Sequence, residues 1–480
     1  MQGSCSKLNW KQWTIILMAV SVPLFAWAVC LILPTYDDWT TLSAPNYTSH
    51  HLRFVLPYGV VWRPWDAIMG FLLTVNHRAF PVANHLVIFA GHVISTVLIY
   101  KVCRKLDFDK SSTTVATLFF YLSPAMLGTL LSCDSMNQTY SQLWGIAALL
   151  AYLSYKGWRR YVLWALCVVI GALAKENGIA WAVVPPIIGY GFQRDTMRSA
   201  LRGVVFGIAV AVAYAAFRLS LPKTELINTE YTTYTLYDKV MDICTLIGYS
   251  WTAIDWVSLF HRPSRNIIIV AITMIMSLPL LYYLFVRQWK RVFSVAMLSL
   301  VVAVVAVQSP HIVTVVSVMH CYGSLSICAL ILAYLLNDVE WGRGLVASLV
   351  LFLLASLYTD WHHWQMSVIT SRYGKEFAQK ALEITPEKPK KVMTINVTGD
   401  ERKYSSFCVT PIEAFENGYA VMFYTDYEWP KNADAVTITE EDYQCTDSVA
   451  QITRRCAKEG YDCVWMLRKA EDKWTLSVLR

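Results

Sequence analysis

Two adjacent carboxylates stand in Tyr36-Asp37-Asp38-Trp39, directly after the first long apolar run. One reading is a solvated acidic turn that helps to end a helix. The other is a general base at the lipid–water boundary, where a carboxylate can take the proton of an incoming hydroxyl. A like-charged neighbour and partial burial would raise one of the two pKa values toward a useful range. Adjacent Asp37 and Asp38 could also hold a divalent metal. Farther along, Val61-Trp62-Arg63-Pro64-Trp65 sets a guanidinium between two tryptophans. There Arg63 either snorkels or grips a phosphate. Lys175 and Glu176 interrupt another apolar stretch. Lys175 suits a lipid-linked phosphate as a point charge, and the plain alternative is an ion pair of little energy. Asp134, His311, His320 and Tyr322 lie near further ends of apolar runs.

What must position these residues is a membrane bundle. The chain has 480 residues, 56% hydrophobic and 16% charged. A soluble domain carries about a quarter charged residues. Spanning runs fall near 14–33, 84–101, 112–131, 138–155, 203–220, 266–286, 292–308, 312–336 and 344–359, each long enough to cross a bilayer. The first is longer than the apolar part of a signal peptide and reads as a retained helix. Two charges at mid-bilayer would be costly, so 161–192 reads as two short helices, 161–174 and 178–192, joined by Ala174-Lys175-Glu176-Asn177-Gly178. About eleven transmembrane helices result.

With alternating helices, the basic clusters at 7–11, 101–110, 156–160, 194–202 and 287–291 fall on one side. The positive-inside rule makes that side cytoplasmic. Loops 34–83 and 221–265 are then outside, and Val240–Phe260 reads as an interfacial amphipathic helix. Asp37, Asp38, Arg63, Asp134, Lys175, Glu176 and His311 all come to the outer face. Carboxylates and cations at one bilayer face suit a substrate with a lipid tail and a phosphate head. A transporter or flippase would instead need charges along a path through the membrane. A non-catalytic receptor is the other alternative. No nucleic-acid partner is expected.

The polar tail, 372–480, reads as a small extracytoplasmic α+β domain. Strands are expected at Lys391–Val397, Ala420–Tyr424 and Ala435–Ile438, with a helix near 447–459. In an oxidising compartment, Cys408, Cys445, Cys456 and Cys463 allow two disulfides in three pairings. Their spacing is wider than a zinc site prefers.

These residues resemble the C-type (GT-C) membrane glycosyltransferases. The shared features are the acidic pair after the first helix, the Arg63-Pro64 of the same loop and an Asp between helices three and four. Leu173-Ala174-Lys175-Glu176-Asn177-Gly178 is another. The run from His85 to Pro186, with Leu122-Ser123-Pro124 closing helix three, is similar to the bacterial and protein-O-mannosyltransferase-like branch. The likeness covers about 1–340 in layout. His320-Cys321-Tyr322 stands where family members often carry an Arg-Tyr pair, and a histidine is charged only part of the time at neutral pH.

The resemblance implies an all-α polytopic GT-C-like domain over 1–360. It implies hexosyl or pentosyl transfer, often with inversion, from a polyprenyl-phosphate sugar to a glycan, lipid or protein acceptor outside. Asp37 or Asp38 would act as base. Arg63, Lys175, Glu176, His320 and Tyr322 would meet the donor phosphate, with Asp134 and His311 as further site candidates. No cofactor is expected, a divalent metal at Asp37 and Asp38 being the alternative. The bacterial inner membrane, with a role in cell-envelope glycan, is the expected location. The endoplasmic reticulum membrane is the alternative.

Overall fold

The computed structural model describes residues 10–35, 83–132, 135–222, 278–310, 318–385, 387–399, 409–425, 428–444, 447–471 and 473–480, with isolated positions between 55 and 68 and between 235 and 275. Asp37, Asp38, Asp134, His311, Cys408, Cys445 and most of Val240–Phe260 lie outside the described residues.

The membrane part is a helical bundle: α1 Trp10–Val29, α2 Ala83–Lys105, α3 Lys110–Leu122, α4 Leu127–Leu130, α5 Met136–Ser154, α6 Gly157–Ala174, α7 Val184–Gly191, α8 Met197–Ser220, α9 Val295–Gln308, α10 Cys321–Leu336 and α11 Arg343–Ile384. Four of these are long and apolar enough to cross a membrane, and α3 with Pro124–Leu130 makes a fifth span bent by 44°. Shorter apolar helices lie at Ile15–Val29, Val295–Gln308 and Cys321–Leu336. The chain is an integral membrane protein. The expected span at 266–286 lies mostly outside the described residues.

Local chemistry sets the helix ends. Asp109 caps α3 by accepting from the Ser111 and Ser112 amides at 2.8 and 3.0 Å. Such a cap satisfies amides that have no intrahelical partner. Pro124 stops α3 because it offers no amide and clashes with the preceding turn. α10 is buried along almost its whole length and forms the bundle centre. α8 is its opposite: only Ala200, Gly203, Gly207 and Arg218 are buried, and the rest faces outward. Its small stripe lets the backbones touch. A Cβ on Gly207 would fall 1.7 Å from the Ala182 carbonyl oxygen.

The basic clusters gather at one end of the bundle. Arg160 pairs with Asp195 at 2.7 Å, Arg194 with Asp107, and Arg291 approaches Asp338 at 4.0 Å. The Asp109 amide donates to Asn337 Oδ1 at 2.7 Å at the same end.

α11 has 42 residues, about 63 Å of helix at 1.5 Å per residue, roughly twice the hydrocarbon thickness. Leu345, Leu349, Phe352 and Val368 join the bundle core. Phe377, Ala378 and Ala381 join the core of the tail domain. The expected junction at 360–372 is therefore an unbroken helix.

The tail domain holds one four-stranded sheet of β1 Lys391–Thr398, β2 Asn432–Thr439, β3 Cys463–Ala470 and β4 Lys473–Val478, in the order β2-β1-β3-β4. β1 is parallel to β2 and to β3, and β4 is antiparallel to β3. Parallel neighbours need crossover helices. α12 Pro411–Phe415 and α13 Tyr419–Tyr424 fill the first crossover, and α14 Ser448–Lys458 the second. The domain is thus a β-α-β arrangement of strands and helices with cores on both faces.

Tyr419–Tyr424 is a helix where a strand was expected. A short buried apolar run does not reveal its period. Here Asn417 and Gly418, at φ 60° and 105°, turn the chain into a helix.

The expected oxidation of all four tail cysteines is corrected for two of them. Cys456 and Cys463 are buried free thiols, packed in different cores. Burial pushes the Cys456 thiol up and the Cys463 thiol up to about 11. Thiolates are the reactive species, so both should resist an alkylating reagent in the folded protein at pH 8 and react fully in denaturant without reductant. Mass spectrometry of the labelled peptides checks this, and a labelled fraction that requires reductant would show them to be oxidised.

Candidate functional site

α6 ends at Lys175, whose backbone is extended, and the chain continues as a tight 3-10 turn, Glu176–Ala182. A break in an apolar bundle frees polar groups that lipid cannot satisfy. α5 supplies the partners from one face. Asn177 Nδ2 donates to Gln138 Oε1 at 2.8 Å, and Trp181 Nε1 donates to Gln142 Oε1 at 2.8 Å. The Ser141 hydroxyl lies 3.3 Å from the Lys175 carbonyl oxygen and 3.2 Å from Asn177 Oδ1. Two glycines make the approach possible. A Cβ on Gly145 would sit 2.1 Å from Trp181 Nε1, and one on Gly178 would sit 2.6 Å from the Gly171 backbone.

This seat turns Glu176 toward two arginines. Arg63 Nε lies 3.0 and 3.1 Å from the two carboxylate oxygens, and Arg63 Nη2 donates at 2.8 Å. Arg218 Nη2, from the far end of α8, donates to Oε1 at 2.7 Å. Arg218 Nη1 also donates to the Trp62 carbonyl and lies 3.4 Å from the Tyr214 hydroxyl. The Tyr214 hydroxyl in turn donates to the Ala172 carbonyl at 2.7 Å. Trp62 stacks edge-on against Phe217, and Trp65 packs against Tyr140 and Trp144. The two tryptophans clamp the Arg63 loop to the bundle, which favours an ordered cluster over a snorkelling side chain.

Burial works to raise the Glu176 pKa. The charge and hydrogen bonds of Arg63, with a smaller contribution from the Arg218 charge, outweigh it and hold the carboxyl at about 2. The side chains of Arg63 and Glu176 are 33% and 40% exposed, whereas Arg218 is 6% exposed. The cluster is therefore open on its Arg63–Glu176 side.

Lys175 points the other way. Its Nζ lies 3.0 Å from Met319 Sδ, and the Ser135 hydroxyl lies 3.7 Å from the same sulfur. Lys175 is thereby brought beside the turn that holds His320. His320 is buried, and its carbonyl accepts from Gln308 Nε2 at 3.1 Å. Asp134, immediately before Ser135, is outside the described residues.

Tyr322 is inside the bundle, fully buried, and its hydroxyl is hydrogen-bonded to His92 Nδ1 at 2.9 Å. That position gives no support to the phosphate contact expected of it. Asp37 and Asp38 follow the end of α1, which is tied to α11: the Trp364 indole donates to the Ala28 carbonyl at 2.9 Å and the Leu33 amide to Ser371 Oγ at 3.2 Å. Arg218 was absent from the expected set. Its signal was a lone cation near the end of an apolar run, four residues from Tyr214 and so on the same helix face.

Arg63 and Arg218 thus meet on Glu176, and Lys175, from the same turn, reaches the Met319–His320 segment on the other side. Guanidinium and ammonium groups gathered at one turn suit a phosphate.

The chain has the fold of the C-type (GT-C) membrane glycosyltransferases, as in the crystal structure of ArnT from Cupriavidus metallidurans bound to undecaprenyl phosphate. That likeness has a TM-score of 0.50 and 10% identity, and covers 97% of this chain and 98% of that one. By sequence, the chain is 31% identical over 202 residues to the mouse Protein O-mannosyl-transferase TMTC3, covering 37% of this chain and 21% of that protein. It is 30% identical over 124 residues to the human protein of that name, covering 25% of this chain and 13% of that protein. The chain therefore spans about a fifth or less of the length of the curated relatives it matches. No protein-family model matches it.

The Glu176 cluster has a definite pH signature. A carboxyl whose folded pKa lies below its ordinary 4.5 stabilises the fold fully above that value, and loses the contribution as pH falls toward about 2. Glu176→Gln should remove this acid limb. At neutral pH it leaves the buried Arg218 uncompensated, at a cost of about 3 kcal/mol. Thermal unfolding of the detergent-solubilised protein at pH 3 and pH 7 checks both, the difference between wild type and variant shrinking at the lower pH.

Proposed function

We propose that this chain is a membrane glycosyltransferase that moves a sugar from a polyprenyl-phosphate donor to an acceptor hydroxyl on the extracytoplasmic side. The observation that carries the reading is the gathering of three cations, Arg63, Lys175 and Arg218, about the Lys175–Glu176 turn, at the opposite end of the bundle from the Arg160–Asp195 pair. Two namings support it. The structural neighbour was solved with undecaprenyl phosphate bound, and the curated relatives are named as O-mannosyl-transferases. In this reading the N-terminus lies in the cytoplasm and the tail domain outside.

The reaction follows from the charges. Asp37 or Asp38 accepts the proton of the acceptor hydroxyl as its oxygen bonds the anomeric carbon. The bond from that carbon to the phosphate oxygen breaks, and its electron pair leaves on the phosphate. Lys175 and Arg63 stabilise the charge that appears there. Glu176 acts through Arg63, holding that guanidinium in place. The leaving phosphate is good enough that no metal is needed in this scheme. His320, beside Lys175, adds a part-time charge to the phosphate side.

The test uses purified protein in liposomes with radiolabelled polyprenyl-phosphate mannose and peptide or glycolipid acceptors. Asp37→Asn or Asp38→Asn, one far more than the other, should lower turnover about 100- to 10,000-fold with donor binding retained. Lys175→Ala should weaken donor binding about tenfold or more. A chelator should leave turnover unchanged. Full turnover in both Asn variants would remove the base assignment, and loss of activity on chelation alone would remove the metal-free scheme.

A further inference from the structure

α11 carries a buried polar stripe at helical spacing: Ser356, Thr359, Asp360, His363, Ser367, Thr370 and Ser371. The opposite side, with Leu354, Leu357, Tyr358 and Trp361, is exposed. Most of the stripe is satisfied locally. Ser356 donates to the Phe352 carbonyl at 3.1 Å, Thr359 to Ala355 at 3.0 Å and Ser371 to Val368 at 3.1 Å. Asp360 differs. It is 7% exposed, and neither carboxylate oxygen has a hydrogen-bond partner among the described residues. The bent segment Pro124–Leu130, which packs against α11, carries no ionisable side chain, and neither does α1 beyond Lys11.

Burying a carboxyl group in a bundle without a partner is unfavourable, and in a membrane segment it marks a functional position by default. Its place identifies the function. Asp360 lies one turn, about 6 Å, below Trp364, which is bonded to the last turn of α1. It therefore sits beneath the point where the chain leaves α1 for Asp37 and Asp38, at the depth of the outer leaflet. A carboxylate accepts at two oxygens, which matches two neighbouring hydroxyls of a sugar ring.

Resting on the proposed function, we infer that Asp360 binds hydroxyl groups of the donor sugar, and so lets the site distinguish a sugar-bearing polyprenyl phosphate from the bare lipid phosphate left after transfer.

The test is competition between radiolabelled polyprenyl-phosphate mannose and unlabelled polyprenyl phosphate for the full chain in nanodiscs. The wild type should prefer the mannosylated lipid. Asp360→Asn and Asp360→Leu should cut that preference about ten- to hundredfold, with affinity for bare polyprenyl phosphate unchanged. The Leu variant removes an unpaired buried charge, so its thermal midpoint should equal or exceed that of wild type. Preference retained in both variants overturns the inference. So does equal loss of both lipids together with a lowered midpoint, which marks a structural role. A wild type that binds neither lipid removes the proposed function itself, and the inference with it.

Discussion

A helix broken inside an apolar bundle is tolerated only when every polar group it frees finds a partner, and the site depends on how that is met at Lys175–Ala182. Gln138, Ser141 and Gln142 lie on one face of α5 and accept or share the bonds that the turn releases. Gly145 and Gly178 bring the backbones close enough for those bonds to form. The turn is thereby rigid, and it directs two consecutive side chains to different places. Lys175 goes to the Met319–His320 turn and Glu176 to the arginine pair. A solvated loop would hold neither.

The arginine pair shows how charge is managed at a membrane edge. Arg218 is the one charged residue in the C-terminal half of α8, most of whose other residues are exposed. It is kept inside by the Glu176 carboxylate and the Trp62 carbonyl, and the Tyr214 ring lies beside it. A buried ion pair gains little in stability over an apolar replacement. Its value here is positional: it fixes the Arg63 loop against the bundle.

α11 joins the two parts of the molecule. It begins in the bundle core and ends in the tail domain, where Phe377 stacks on Tyr373 and meets Phe415. An unbroken helix transmits orientation more directly than a linker would. The tail sheet is therefore joined through one helix to the C-terminal end of α1, which is bonded to the same helix.

Periodicity and charge along the chain determined the apolar spans, the side on which the basic clusters gather, and the split of 161–192 at Lys175-Glu176. These follow from the long-range cost of placing charge and bare backbone in hydrocarbon, which any local window of sequence reports. The partners of those charges were decided only by the tertiary structure. Glu176 meets Arg63 across 113 residues and Arg218 across 42, and no local pattern records such a pairing. Tyr322 looked like a site residue because His320-Cys321-Tyr322 stands where the resembled family often carries an Arg-Tyr pair, yet its ring is buried in the bundle against His92. Tyr419–Tyr424 is a helix because Asn417 and Gly418 turn the chain into it at positive φ, which a short apolar run by itself does not reveal. Asp360 passed unnoticed because one acid near the end of an apolar run resembles a boundary marker. Its burial, and the lack of a partner on the elements packed against it, exist only once the helices are assembled.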